Sequence, residues 1–347
     1  MLWKKCRSPV YILSFIAFIT PGRSFSQDFQ WWADNVKWDG VTHWRNYIIY
    51  APARLGPNAL PIPTLMEGKT DTSLSVGSSS RFQRATGDFT YAQSFFLTYP
   101  TNNKNISFDI FWIPREMYRT SHEWKTIRKV HFPAYYERHA MTDIIFNTVF
   151  QLSREESKWM DITFRSTFRF ATSTHVNAAR GTDAPGYSFD LTAGKSLSTR
   201  LRIMGMLGFY VWQTNRDDYL QNDAFLFGIG ARYVINKWSF TPQYRGYWGY
   251  IGDGDDQVAV SFKINYACPS WHFFTSASMG LEDNFYISLE CGVIHLLKHK
   301  FELICGTING KYGHGYFNST EKGINGTGRR WPYFLSGKQG KSNELSG

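Results

Sequence analysis

Segments in which every second residue is apolar recur from about residue 70 onward, and they constrain the fold more than any other feature. In Asp161–Phe170, one face carries isoleucine, serine and phenylalanine, and the other carries aspartate, threonine and arginine. Gln257–Tyr266 alternates in the same way. Alternation of this kind indicates β-strands with one apolar face, and about nine to eleven tilted residues cross a membrane. The sequence therefore predicts long amphipathic strands.

Twelve such strands are predicted, and a thirteenth is a candidate at 301–308. They lie near 71–83, 88–99, 105–114, 143–152, 159–172, 187–197, 201–214, 223–235, 238–251, 257–267, 271–282 and 285–294. The predicted fold class is all-β, a transmembrane antiparallel up-and-down β-barrel of about twelve strands. Fourteen is the alternative, because an even number brings both termini to one side. A single helical stretch is predicted at 116–129.

The predicted connections alternate between short and long, which is an independent test of a barrel. The short ones are 153–158, 198–200, 236–237 and 268–270, and the long ones are 115–142, 173–186, 215–222 and 252–256. Outer-membrane barrels have short periplasmic turns and longer external loops, so the N-terminus is predicted on the periplasmic side. The alternative is a soluble β-sandwich, whose strands usually have only about five or six residues.

Aromatic residues gather near the predicted strand ends, as in the interfacial girdles of membrane barrels. The predicted girdle consists of Tyr99, Trp112, Trp212, Trp238, Trp248, Tyr266 and Trp271.

Residues 1–26 have the pattern of a signal peptide, with early basic residues, a short apolar run and small residues before the cleavage site. The formal charge of +10 is concentrated in this leader and in the tail, which leaves +2 on residues 27–307. The body therefore lacks the basic footprint of a nucleic-acid-binding protein. The predicted location is the outer membrane of a Gram-negative-type bacterium, with outer-membrane lipid and lipopolysaccharide as partners.

Four regions are predicted along the chain. After the signal peptide, residues 27–70 are rich in tryptophan and proline and form either a plug in the lumen or a periplasmic extension. Residues 71–307 form the barrel. Residues 308–347 form a basic, Gly- and Ser-rich tail that is disordered or holds a short closing strand.

If the aromatic face points to lipid, the opposite face lines the lumen. The predicted lumen-lining residues are Asp161, Arg165, Arg169, Asp190, Arg202, Arg232, Arg245 and Lys263. Basic residues outnumber acidic ones, and a basic wall favours anions. In an open pore, Arg165→Ala and Arg169→Ala would then lower anion preference. The alternative is that these arginines pair with the aspartates and hold the barrel interior together.

A family resemblance rests on four segments, Asp143–Leu152, Trp159–Arg165, Ala171–Thr174 and Gly181–Ser196. They resemble the hairpin core of outer-membrane barrels grouped with the meta-pathway phenol-degradation family. The resemblance covers about residues 140–250. It implies a channel for small organic solutes.

The predicted function is a narrow channel, open or gated, for small organic or anionic solutes. One alternative is a structural barrel that binds a surface partner through residues 115–142. Another is an outer-membrane lipase, acyltransferase or protease, for which the histidines His122, His131, His139 and His175 are candidates without a motif that links them to a nucleophile. No catalytic residue, cofactor or metal site is predicted, because the histidine spacings match no metal-ligand pattern.

Overall fold

A computed structural model of the chain describes residues 29–130, 138–216 and 218–297. The chain divides into two units, 1–300 and 301–347, and every described residue belongs to the first. The predicted signal peptide, the tail and the strand candidate at 301–308 lie outside the described residues.

Strands dominate the described chain. They are β1 (Ser75–Ala85), β2 (Asp88–Pro100), β3 (Ile106–Thr120), β4 (Arg138–Ala140), β5 (Ile145–Ser153), β6 (Asp161–Arg169), β7 (Gly186–Ser196), β8 (Leu201–Gln213), β9 (Gln221–Ile235), β10 (Trp238–Trp248), β11 (Gln257–Ala267), β12 (Trp271–Glu282) and β13 (Tyr286–Leu296). The α-helices are α1 (Phe29–Val36) and α2 (His122–Ile127), and short 3-10 helices lie at Trp44–Tyr47 and Val176–Ala178. None of the described helices is long and apolar enough to cross a membrane.

The strands close into an antiparallel up-and-down barrel. Each long strand pairs with the next one along the chain, and β1 pairs with both β2 and β13, which closes the sheet. The three-residue β4 pairs only with the far end of β3. Within the described residues the closed barrel therefore has twelve strands, and the prediction from alternation is confirmed.

The predicted helix over 116–129 is wrong in its first part. Strand β3 continues to Thr120 because Glu116 and Tyr118 pair with β4 and point into the barrel. The helix begins only after Ser121, whose side chain accepts a 3.3 Å hydrogen bond from the Trp124 backbone N–H and caps it.

The two ends of the barrel differ in their connections. One end, here the short-turn end, has the connections 101–105, 154–160, 197–200, 236–237 and 268–270. The opposite end, the long-loop end, has 121–144, 170–185, 214–220 and 249–256, together with the tight turns 86–87 and 283–285. Strand β1 begins and β13 ends at the short-turn end, which corresponds to the periplasmic side of outer-membrane barrels.

The two faces of the wall differ in chemistry. Along β6, the alternate residues Asp161, Arg165 and Arg169 are buried and point inward, whereas Phe168 points outward. Large apolar side chains cover the outer surface, including Leu207, Phe209, Ile229, Phe273 and Ile287. A closed barrel pairs all its backbone groups and tolerates such an apolar exterior only in lipid.

Most of the predicted girdle residues point outward. Tyr99, Trp238, Tyr266 and Trp271 lie near the short-turn end, with the rings of Trp238 and Tyr266 4.7 Å apart. Trp248 lies at the long-loop end, 4.2 Å from the ring of Phe227. Trp112 also points outward, opposite Phe95 in mid-strand. Their role at the membrane interface stays a prediction.

The assignment of Trp212 to the girdle is wrong. This side chain is fully buried inside the barrel. Residues separated by an even number share one face of a strand, so Trp212 lies on the same face of β8 as Arg202 and Met206, which are also buried. Phe209 occupies the outward face instead.

Candidate functional site: the barrel lumen

Residues 48–70 contact the inner wall along the whole barrel. Tyr50 lies at the long-loop end beside Trp212, and Thr70 lies at the short-turn end beside Gln151. The chain then turns into β1. The prediction of a periplasmic N-terminus is therefore wrong for the described residues, because the segment before β1 returns to the opposite end. There α1 contacts the α2 region, with Trp32 Nε1 donating to the Lys129 carbonyl oxygen at 2.9 Å.

At the long-loop end, the segment is bound to a wall strand and to the loop 170–185. Trp212 Nε1 donates to the Tyr50 carbonyl oxygen at 2.8 Å, and the Tyr50 hydroxyl donates to Asp183 at 2.8 Å. Burial raises the pKa of Tyr50 above its ordinary value, so this hydroxyl stays protonated as a donor. The backbone N–H of Gly56 donates to the Ala179 carbonyl oxygen at 2.7 Å. This loop and the segment thus form one hydrogen-bonded structure.

In the middle of the lumen, wall side chains bind the backbone of a proline-rich stretch. Arg245 Nη1 donates to the Pro63 carbonyl oxygen at 3.0 Å, and Arg165 Nη2 donates to that of Thr64 at 2.9 Å. The Tyr247 hydroxyl donates to the Leu60 carbonyl oxygen at 2.8 Å. Proline lacks a backbone N–H and keeps the chain extended, so the stretch presents carbonyl acceptors that match donors on the wall.

Near the short-turn end, the segment touches the wall most closely. Arg202 donates to the Glu67 carbonyl oxygen through Nε at 3.1 Å and through Nη2 at 2.6 Å. Gly194 of β7 faces the same carbonyl, and a Cβ atom there would overlap it. Gly68 has a φ of +75° and lies against Gly194. These two glycines permit a backbone-to-backbone approach that other residues would block.

The apolar core of the molecule lies inside the barrel. It packs one side of the segment against β8, β9 and β10. Its fully or nearly fully buried members include Ile48, Leu55, Ala59, Leu60 and Leu65 of the segment and Met206, Tyr210, Trp212, Leu226 and Tyr247 of the wall. The segment is therefore held by apolar packing on this side.

On its other side, the segment leaves a cavity of about 240 Å³ that is bounded mainly by β3, β5, β6 and β7 and extends to side chains of β1, β8, β10 and β13. The cavity lies between Asn58–Thr64 and the wall, and its charged lining consists of Arg81, Arg165, Arg169, Arg245, Asp143 and Glu290. Cations outnumber carboxylates in this lining. Uncharged donors and acceptors such as Asn147, Thr167 and Ser188 complete it.

Most of the predicted lumen-lining residues form buried ion pairs. Arg165 lies 2.7 Å from Asp190, and Arg202 lies 2.7 Å from Asp161. Arg169 pairs with Asp143, which the sequence prediction did not include. For these arginines the structure favours pairing within the wall over a free basic surface.

The remaining predicted residues differ from one another. Arg232 is partly exposed and pairs with Glu67 at 2.8 Å. Lys263 lies over the ring of Phe274, 4.3 Å from its centroid. Arg245 donates to the luminal segment and has no carboxylate within ion-pair distance in the described part of the chain. It is the strongest candidate for a cation that faces a solute.

The sequence prediction missed a second buried network at the long-loop end. Arg180, from the loop after β6, is fully buried and lies 2.7 Å from Asp88 and 3.3 Å from Glu116. Its guanidinium carbon is 3.9 Å from the ring centroid of Tyr118. Asp88 and Glu116 lie on inward faces, which signals a buried cation. A loop arginine follows no strand period, so the sequence does not identify the partner.

The candidate histidines that the structure describes are not grouped with a catalytic partner. His122 and His139 are exposed at the long-loop end, His175 follows β6 in another loop, and His131 lies outside the described residues. The described ranges contain no group of three or more His, Cys, Asp or Glu side chains that could hold a metal ion.

The fold and the site define a class of protein. A closed twelve-stranded barrel with an apolar exterior and a polar, ion-paired interior is an outer-membrane β-barrel, and its location is the outer membrane.

Solved structures similar to this chain include two porins and an outer membrane channel. No protein-family model matches the chain, and no curated protein matches it. The KdgM porin aligns with a TM-score of 0.41 and 7% identity over 64% of this chain and 99% of its own. The NanC porin aligns with a TM-score of 0.44 and 10% identity over 64% of this chain and 100% of its own. An outer membrane channel from Pseudomonas putida F1 aligns with a TM-score of 0.45 and 9% identity over 70% of this chain and 100% of its own.

Proposed function

We propose that this protein is an outer-membrane channel for small organic anions, closed in the described state by residues 48–70 acting as a plug. It works in a Gram-negative-type outer membrane, to which the predicted signal peptide exports it. One observation carries the proposal: Arg245 binds the plug through backbone carbonyl oxygens and also lines the adjacent cavity.

The charge of the cavity supports an anionic solute. Arg165 and Arg169 are neutralised by their aspartate partners, whereas Arg245 and Arg81 have no carboxylate within ion-pair distance in the described ranges. A guanidinium in a site shielded from water attracts carboxylates strongly and binds them through two parallel hydrogen bonds. A carboxylate solute therefore competes with the plug carbonyls for the same donor.

The way the plug is held supports gating. Several of its polar contacts in the middle and at the short-turn end are hydrogen bonds from wall arginines to its backbone, and each such bond contributes only about 1.5–3 kcal/mol net. Its ion pairs there, Glu67–Arg232 and Lys69–Asp161, each have a partly exposed member. A segment held in this way is displaced by a solute that supplies replacement acceptors. The apolar packing against β8 to β10 keeps it aligned with the wall.

A glycine substitution tests the plug without removing a charge. In Gly194→Ala, the new methyl group overlaps the Glu67 carbonyl oxygen and pushes the plug from the wall. Gly205→Ala on the neighbouring strand is the matched control, since its Cβ would have its nearest neighbour at 3.8 Å. Planar-bilayer conductance and liposome swelling with benzoate are measured for the full chain and for both variants.

The expected result is a low conductance for the native chain and for Gly205→Ala, and a several-fold higher open probability for Gly194→Ala. Equal, steady conductance in all three proteins would show that the segment does not control passage. Absence of benzoate flux in all three, with intact folding, would contradict the channel itself.

A further inference from the structure

Two exposed arginines flank a phenylalanine on the outer wall near the long-loop end. Phe89 of β2 lies opposite Arg84 of β1 and also opposite Arg119 of β3, so the three side chains form one row across three strands. Neighbouring strands are about 4.8 Å apart, which places the Cα atoms of the two arginines roughly 10 Å apart. Neither arginine has a carboxylate partner in the part of the chain that the structure describes.

An apolar row lies directly below this cationic row, one strand repeat closer to the membrane centre. Phe82 lies opposite Tyr91, which lies opposite Met117. The rings of Phe82 and Tyr91 are 4.9 Å apart, and the Phe82 side chain is half exposed. A cleft of about 420 Å³ opens between these side chains and the row above.

A second and larger cleft adjoins the first. It has a volume of about 860 Å³ and reaches from β3 across β1 and β2 to β12 and β13. Its outward lining includes Arg84, Phe89, Arg119, Met279, Phe285 and Ile287. The two clefts share Phe89 and Arg119 and combine cationic rims with apolar walls.

The height of the cationic row coincides with the edge of the membrane. Phe89 precedes Tyr99, near the short-turn end of β2, by ten residues. With about 3.4 Å per residue and a tilt near 40°, the two lie about 26 Å apart along the membrane normal. The apolar band of such barrels is about 25 Å tall. Arg84 and Arg119 therefore lie at the headgroup level of the outer leaflet.

This sector of the wall differs from the opposite one. At the long-loop end of β7 to β10, the outward side chains are Tyr187, Phe209, Phe225 and Trp248. Between β1 and β3, by contrast, two arginines occupy this level, and a third, Arg115, is exposed on the same face of β3. Long basic side chains that face lipid extend toward the headgroups, so this sector offers cations where the opposite sector offers aromatic rings.

We propose that the clefts between β13 and β3 bind a diphosphorylated glycolipid of the outer leaflet, that is, lipopolysaccharide, with Arg84 and Arg119 holding its phosphate groups. Guanidinium groups bind phosphate through paired hydrogen bonds. A headgroup with two phosphates on a disaccharide spans arginines roughly 10 Å apart, and its several acyl chains fill the two clefts. This site lies outside the barrel and is independent of solute passage.

The test compares two variants that each lose two positive charges. R84Q/R119Q removes the cations of the proposed site, and R200Q/K237Q removes two exposed cations from the short-turn end. The full chain is reconstituted in phosphatidylethanolamine nanodiscs, and purified lipopolysaccharide with diphosphorylated lipid A is titrated. The expected result is at least a tenfold rise in Kd for R84Q/R119Q and no change for R200Q/K237Q. All four residues are exposed, so both variants keep the fold.

Two further ligands identify what is recognised. Monophosphoryl lipid A is expected to bind the native chain more weakly than the diphosphorylated form, and phosphatidylglycerol is expected to bind all three proteins alike. Equal lipopolysaccharide affinity in the native chain and R84Q/R119Q would overturn the proposal. So would an equal loss in R200Q/K237Q, or a parallel loss of phosphatidylglycerol binding in R84Q/R119Q, because either result reduces the site to general charge attraction.

Discussion

Trp212 Nε1 donates a 2.8 Å hydrogen bond to the carbonyl oxygen of Tyr50, a residue 162 positions earlier in the chain. Both groups are buried at the long-loop end, so the bond fixes the start of the luminal segment to β8. A tryptophan that the sequence assigns to the membrane interface thus holds the segment that fills the lumen.

Replacing this indole loosens the outer part of the plug. Trp212→Phe leaves the buried Tyr50 carbonyl oxygen without its donor, at a cost of about 1 kcal/mol or more. We expect hydrogen exchange of the Ala53 and Gly56 amides to become about fivefold faster. The control is Trp248→Phe, which makes the same substitution at a tryptophan that faces the lipid. It is expected to leave the exchange rates of these amides unchanged. Equal exchange in both variants would contradict the role of the bond.

Breaking a buried ion pair destabilises the barrel. Arg165→Met leaves Asp190 buried without its 2.7 Å partner, and loss of one member of such a pair costs about 3–5 kcal/mol. We expect a lower urea midpoint for unfolding from lipid vesicles, followed by heat-modifiable electrophoretic mobility. The double variant R165M/D190N recovers much of the loss, and Arg154→Met, on the exposed turn after β5, has little effect. A double variant as unstable as Arg165→Met would refute the pairing argument.

If the protein is an anion channel, we expect its selectivity to depend on Arg245 rather than on the paired arginines. Arg165 and Arg169 are neutralised by Asp190 and Asp143, so their charges contribute little to the potential along the pore. Arg245→Met removes a cation without a carboxylate partner in the described ranges, and the reversal potential in a KCl gradient is expected to shift toward cation preference. Lys195→Met, at the short-turn rim, is the control. An unchanged reversal potential in Arg245→Met would place the selectivity elsewhere.

The orientation of the barrel predicts which cysteines a membrane-impermeant maleimide reaches on intact cells. Cys268 lies in a short turn, whereas Tyr219 lies in a longer connection at the opposite end. In a background in which the other cysteines are serine, native Cys268 is expected to react only after the outer membrane is permeabilised. A Tyr219→Cys variant that lacks Cys268 is expected to react on intact cells. The reverse pattern would invert the assigned orientation.

The strand period determined the barrel wall almost completely. All twelve predicted strands are present with shifts of a few residues, because the alternation of apolar and polar residues is a local property of each strand. The same alternation also predicts that Trp212 points inward, because it is separated from Arg202 by an even number of residues. Trp212 was assigned to the girdle because it is a tryptophan near a strand end. The alternation of inward and outward residues along β8 is the stronger criterion.

The sequence also left two questions that only long-range contacts answer. The sequence of residues 27–70 is consistent with a plug or with a periplasmic extension, because a proline-rich stretch in which apolar residues do not recur regularly can adopt either arrangement. The distinguishing contacts join residues far apart in the chain, such as Pro63 to Arg245 and Glu67 to Arg202. The pairing of Arg165 with Asp190 rests on the register between β6 and β7, which alternation alone does not fix across a long loop.

By itself, the sequence determined a barrel of amphipathic strands, the alternation of its turns and the residues available to its interior, because all of these follow from local periodicity and composition. The tertiary contacts decide which arginines are neutralised by carboxylates, and they place the segment before β1 inside the lumen. Those features depend on side chains and backbone groups that meet across the closed barrel. Which groups pair there depends on their distance in space and not on their separation along the chain.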